Sequence, residues 1–199
     1  MAHKFAEIAF TSTVKQVQEE MGSRTGYSSI ETGPDRNNLL RDRERVFIEA
    51  RDSFYIASVS ETGWPYIQHR GGPAGFLKVI DQSTIGFADY SGNRQYVTTG
   101  NVLTNDRVAL FLMDYPNQRR LKLLGRMALV GPERPSILDH LQDESYKAQI
   151  ERGMIIRVEA FDWNCPQHIT PRYTHSEVDA FIEGWQTNVK NSPKTLPTY

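Results

Sequence analysis

Three short segments of this 199-residue chain gather the side chains best suited to chemistry. In DYSGNRQYVTTGNVLTNDR, residues 89–107, a strand-like run gives way to a helical one at Asn93. Asn93 reads as an N-cap, with Arg94 and Gln95 in the first turn. Free backbone N–H groups, the positive end of a helix dipole and a guanidinium fork together make an anion site, with phosphate the first ligand to expect. An ordinary helix cap with a solvated arginine fits the same residues. In GWPYIQHRGGPAGF, residues 63–76, Gln68, His69 and Arg70 stand in a row on a strand. Alternation sends Gln68 and Arg70 to one face and Ile67 and His69 to the other, so the first two can meet one ligand. Gly71 and Gly72 let a backbone approach a flat ligand. The competing reading is an edge strand with its polar side in water and GGP as a plain turn.

The third segment, FDWNCPQHITPRY at 161–173, holds Trp163, Asn164, Cys165, Gln167 and His168 in a proline-broken loop. One Cys and one His fall short of a zinc ligand set, so no metal is expected. A thiol before proline with no oriented base is a poor nucleophile. Trp163 suits core or interface packing as well as a ligand contact. The chain has no Walker loop, GxGxxG, GxSxG or HExxH, and its carboxylates are spread rather than paired.

The elements that must position these groups follow from periodicity. TSTVKQVQEEMG predicts a short amphipathic helix with Thr13 as its cap and Gly22 as its stop, and LLRDRERVFIEARD predicts a second. From residue 53 the period becomes two. SFYIASVS, WPYIQHR, FLKVID, TIGFADY, RVALFLMDY, LKLLGRMALVG and MIIRVEAFDW read as about seven strands in hairpin succession. Strand and helix do not alternate, which disfavours a parallel doubly wound sheet. The expected fold class is α+β, mainly β: a closed or nearly closed antiparallel barrel with peripheral helices. PSILDHLQDESYKAQIERG reads as helical, and HSEVDAFIEGWQTNVK predicts a last helix packed on the outside of the barrel through Val178, Phe181, Ile182 and Trp185. Residues 1–35 form an extension, 36–190 the barrel domain and 191–199 a tail.

A hydrophobic fraction of 39% suits one domain with a sizeable core, and a net charge of −1 gives no reason to expect nucleic acid. Any anion must be held locally. A lone cysteine, an N-terminus without a long apolar run and the lack of a 20-residue apolar stretch point to a cytoplasmic protein off the membrane.

Taken in this order and at these separations, the segments resemble the pyridoxamine 5'-phosphate oxidase-like family of FMN-binding split β-barrels. PYIQHRGGPAGFLKV, IGFADYSGNRQYVTTGNVLTNDRVALFLMD and RRLKLLGRMALVG carry the likeness, across roughly residues 36–173. The resemblance implies a homodimer with FMN in two interface clefts. It implies Asn93 and Arg94 as phosphate ligands, with Gln95 and Lys78 nearby. It places Gln68, His69 and Arg70 along the flavin, Phe87, Ala88 and Asp89 against its ring or ribityl chain, and Arg120 on the flavin from the partner chain. It puts Trp163, Asn164 and His168 at the flavin's open side. Arg172 is not followed by the histidine of the true oxidases' Arg-x-His element. The resemblance therefore implies an FMN-dependent oxidoreductase acting on another small molecule, with NAD(P)H or oxygen as the second reactant. A flavin binder without turnover, and a haem- or F420-binding relative on the same barrel, are the alternatives.

Overall fold

In the computed structural model, residues 3–32, 34–163 and 166–191 are described. Asn164, Cys165 and all of the expected tail except Asn191 fall outside them. The chain runs α1 (Lys4–Ala9), α2 (Ser12–Glu20), α3 (Arg24–Ser28), a 3-10 turn (Ser29–Glu31) and α4 (Asp42–Glu49), then β1 (Ser53–Val59), β2 (Pro65–Gly71), β3 (Lys78–Asp81) and β4 (Thr84–Tyr90). There follow α5 (Val97–Thr104), β5 (Arg107–Asp114), β6 (Arg119–Val130), α6 (Pro135–Leu141), β7 (Ile150–Trp163) and α7 (His175–Asn191).

Every strand pairing is antiparallel, and the seven strands lie in the order β2-β1-β5-β6-β7-β4-β3. The sheet is the nearly closed form of the expected barrel: β2 and β3 remain edges, so the barrel is split, with helices at its periphery. Phe54, Ile56, Leu110, Leu112, Leu121, Leu123, Ile85, Phe87, Met154 and Ile156 fill the core. Phe87 stands edge-on to Phe54 at 5.2 Å. Period-two patterning is clean on β1 and β5, where buried residues alternate with partly exposed ones. It vanishes on β4, whose five central residues are all buried because α6 covers their outer side. Leu141 presses there so closely that a Cβ on Gly86 would come within 2.9 Å of it, and one on Gly153 within 2.8 Å.

Several boundaries differ from the predictions. Thr11, not Thr13, caps α2, its Oγ1 accepting from the Val14 N–H at 3.4 Å. Within the N-terminal extension, residues 24–31 form α3 and the 3-10 turn, tied by the Arg24–Glu31 ion pair at 2.6 Å. The long helix expected after Pro135 stops at Leu141, and β7 starts at Ile150. The N-terminal segment folds back through a parallel bridge between His3 and Arg36, and α1 lies on β7 with Ala6 buried. α7 does not bury the face predicted for it: Val178, Phe181, Ile182 and Trp185 are all exposed.

Candidate functional site

The split is filled at one end by α5. Asn101 of α5 donates to the buried Ser58 hydroxyl of β1 at 2.9 Å, and Thr98 Oγ1 donates to Gln68 Oε1 of β2 at 2.8 Å. Arg70, two residues on and on the same face, reaches across to β4, where its Nη1 donates to Asp89 Oδ1 at 2.6 Å. The β4–β7 register sets Asp89 against Arg152, whose Nε lies 3.3 Å from Asp89 Oδ2 in an ion pair not aligned as a hydrogen bond. Gln68, Arg70, Asp89 and Thr98 floor a polar cleft of about 230 Å³, whose walls include Asn93, Arg94, Tyr96, Thr99 and Glu151.

The loop leading into α5 carries the clearest backbone signal. Arg94 and Tyr96 both hold positive φ, 58° and 53°, a conformation that costs a non-glycine residue on the order of 1 kcal/mol or more. The helix therefore begins at Val97, not at Asn93 as predicted, with Tyr96 as its left-handed cap residue and no side chain capping it. Asn93 instead accepts from the Gln95 N–H at 3.2 Å in an Asx turn. The N–H groups of Val97, Thr98 and Thr99 have no acceptor among the described residues. They point their partial positive charge at the cleft with the buried Thr98 and Thr99 hydroxyls beside them. Arg70 Nε and Arg152 Nε are buried without a hydrogen-bond partner. Donors thus outnumber acceptors here, and a phosphate, with its acceptor oxygens, fits the set.

One chain does not bring all the expected residues together. Gln68, Arg70, Asp89, Asn93 and Arg94 line the cleft, with Gln95 in its loop. Asp89 spends its carboxylate on two arginines, and Phe87 lies in the core. Ala88 pairs with Gly153, and Lys78 pairs with Gly86, on the stretch that α6 covers. His69 points outward beside Tyr55, their rings 5.6 Å apart. Arg120 lies over Phe111 on β6. Trp163 sits at the far end of β7, its indole N–H donating to Glu44 of α4 at 2.8 Å and its ring 4.3 Å from the Arg43 guanidinium. His168, exposed and at φ 64°, occupies the turn beyond it, held where Gln118 donates to the Ile169 carbonyl at 2.7 Å. Tyr96, Thr98, Thr99, Glu151 and Arg152 had not been singled out; the strand character of MIIRVEAFDW, extended back four residues, was the signal for the last two. Among the described residues no group of three or more His, Cys, Asp or Glu could hold a metal ion, and no helix is long and apolar enough to cross a membrane.

A split antiparallel barrel with a polar cleft lined by Arg70 and Arg94 defines the class of protein. Residues 40–160 match the family described as pyridoxamine 5'-phosphate oxidase, and the chain belongs to that family. HupZ of Group A Streptococcus is similar in fold, with a TM-score of 0.51 at 14% identity over 68% of this chain and 100% of that one. An FMN-binding protein from Syntrophomonas wolfei aligns at 13% identity and TM-score 0.47, over 77% of this chain and 98% of its own. A Clostridium acetobutylicum protein related to general stress protein 26, of the pyridoxinephosphate oxidase family, aligns at 13% identity and TM-score 0.46, over 68% and 94%. No curated protein matches the chain.

Proposed function

We propose that this chain is an FMN-dependent oxidoreductase of the cytoplasm, working as a homodimer on a small molecule other than pyridoxamine phosphate. The observation that carries the reading is the donor excess of the cleft: three helix N–H groups without an acceptor among the described residues, the buried Thr99 hydroxyl and the buried Arg70 Nε, which has no hydrogen-bond partner, around one small space. Arg94, Thr98, Thr99 and the first turn of α5 hold the FMN phosphate. Gln68 fixes the Thr98 hydroxyl, and Asp89 fixes Arg70 and Arg152. The flavin, when bound, supplies the hydride chemistry; the protein binds it, orients it and sets the field around it. A guanidinium beside the pyrimidine edge favours the reduced, anionic ring electrostatically, a role suited to Arg120.

Two facts support a second copy. The cleft, at about 230 Å³, is smaller than the roughly 300–1,000 Å³ of sites that enclose a whole drug-sized ligand, so it takes the phosphate end and leaves the ring outside. Trp163 lies 12 residues along β7 from Glu151, roughly 40 Å of strand at about 3.3 Å per residue, and His168 lies beyond the end of that strand. No small ligand spans that distance within one chain. A second copy brings the far end of its own β7 to the first copy's cleft.

FMN titration followed by flavin fluorescence, with light scattering on the same sample, tests the reading. Micromolar or tighter binding to a dimer is expected, and Arg94→Ala should weaken it by about 1.5–3 kcal/mol, the range for a hydrogen bond to a charged group. Unchanged affinity in the variant, or a monomer that binds FMN fully, would overturn it.

A further inference from the structure

The anion cleft contains a carboxylate, an odd group to place where a phosphate is to bind. Glu151 lines the same space as Arg94, Arg70 and Thr98. Its Oε2 accepts from Arg152 Nη2 at 2.7 Å, and its Oε1 accepts from the Tyr96 hydroxyl at 3.2 Å. That hydroxyl in turn accepts from Arg94 Nε at 3.0 Å. Arg152 also lies over the Tyr96 ring, 5.0 Å from its centre. One carboxylate thus engages both cleft-mouth arginines, Arg152 directly and Arg94 through Tyr96.

The chain of contacts runs through the two residues at positive φ, Arg94 and Tyr96. The side-chain network therefore ties together two residues whose backbone conformation is itself unfavourable. Hydrogen bonds from Ser91 and then Arg152 keep the Glu151 carboxyl below its usual range, so it stays ionised at neutral pH. A phosphate drawn to Arg94 and Arg152 meets this charge and competes with Glu151 for Arg152 Nη2 and with the Tyr96 hydroxyl for Arg94 Nε.

We infer that Glu151 is a built-in surrogate anion: it satisfies Arg94 and Arg152 while the cleft lacks a ligand, and a ligand phosphate must take both arginines from it. Glu151 therefore sets the affinity of the site, holding it below what its arginines would give and keeping the bound phosphate ester exchangeable. This rests on the phosphate reading of the cleft, but on no particular organic group attached to the phosphate. A carboxylate that merely oriented Arg152 would have the opposite effect when neutralised, since the arginine would lose its position.

Glu151→Gln separates the two, because the amide keeps the shape while losing the charge, its one carbonyl oxygen accepting from Arg152 and its NH2 facing the Tyr96 hydroxyl. Inorganic phosphate is titrated against melting temperature in wild type and variant, and FMN is titrated by fluorescence in parallel. The variant is expected to reach half-saturation at about tenfold lower phosphate and FMN, which corresponds to about 1.4 kcal/mol. Glu151→Ala should shift in the same direction. Equal or weaker phosphate binding by both variants would overturn the inference even if FMN binds. Tighter phosphate binding by the variants in a protein that ignores FMN would instead uphold it and remove the flavin reading.

Discussion

Asp89→Asn is the most informative single change outside the phosphate ligands themselves. The Asp89 side chain is 7% exposed and stands 2.6 Å from Arg70 Nη1 and 3.3 Å from Arg152 Nε, with those side chains 16% and 23% exposed. At an effective dielectric near 20, two unit charges at such distances attract by about 5–6 kcal/mol in gross terms, most of it offset by the desolvation of all three groups. Breaking a buried pair from one side is the costly case, because the cation stays buried without its partner; about 3–5 kcal/mol of stability is expected to go. For a chain of this size each kcal/mol is about 2–4 °C, so the melting temperature should fall by roughly 6–20 °C. Urea unfolding at pH 7, with and without phosphate, measures it. Phosphate should stabilise the variant less than the wild type, because Arg70 and Arg152 lose the carboxylate that fixes them; for the wild type, saturation at 100 times the dissociation constant is worth about 2.7 kcal/mol. A loss below about 1 kcal/mol would refute the buried-keystone argument. Equal stabilisation of both proteins by phosphate would show that Arg70 and Arg152 do not face an anion site.

Two further predictions concern the frame. Gly125 lies at the irregularity in the β6–β7 ladder, where an added Cβ would meet the Arg157 carbonyl oxygen at 2.5 Å, so Gly125→Ala should cost about 1–3 kcal/mol. A melting temperature within a degree of wild type would contradict the close approach. Burial lowers the His3 pKa from its usual 6.5 against the opposing pull of Asp162, so the unfolded chain takes the proton first as pH falls. Stability contributed by the neutral ring is then fully present above about pH 6.5 and lost below it, and His3→Gln should flatten that slope between pH 7 and 5 in urea melts.

Strands such as β1 and β5 were legible because each exposes one face: Phe54, Ile56 and Ser58 point in while Tyr55, Ala57 and Val59 do not, and the alternation can be read from the residues alone. The polar face of β2 was legible for the same reason. What escaped was set by long-range pairing. Glu151 and Arg152 sit in a stretch that reads as helix, and only the register Asp89↔Arg152 turns it into strand and brings both to the cleft. The start of α5 was misplaced because Asn93 offers a good local cap, whereas tertiary contacts of Thr98 with Gln68 and Tyr96 with Glu151 pull the helix start four residues onward. α1 and α3 were missed because both are short, six and five residues, and gain their stability from packing and the Arg24–Glu31 pair, not from periodicity. The exposed apolar face of α7 shows the converse, a strong periodic signal that no surface among the described residues covers.

The account stands on the cleft being a phosphate site for a flavin, and comparing FMN with riboflavin tests that most directly. The two ligands share the ring and the ribityl chain and differ only in the phosphate. Parallel fluorescence titrations of the same preparation should show FMN binding at least tenfold more tightly, with the difference largely abolished in Arg94→Ala. Equal affinities for FMN and riboflavin would mean that the arginines, threonines and helix N-terminus around the cleft do not hold the phosphate, and the central claim would fall.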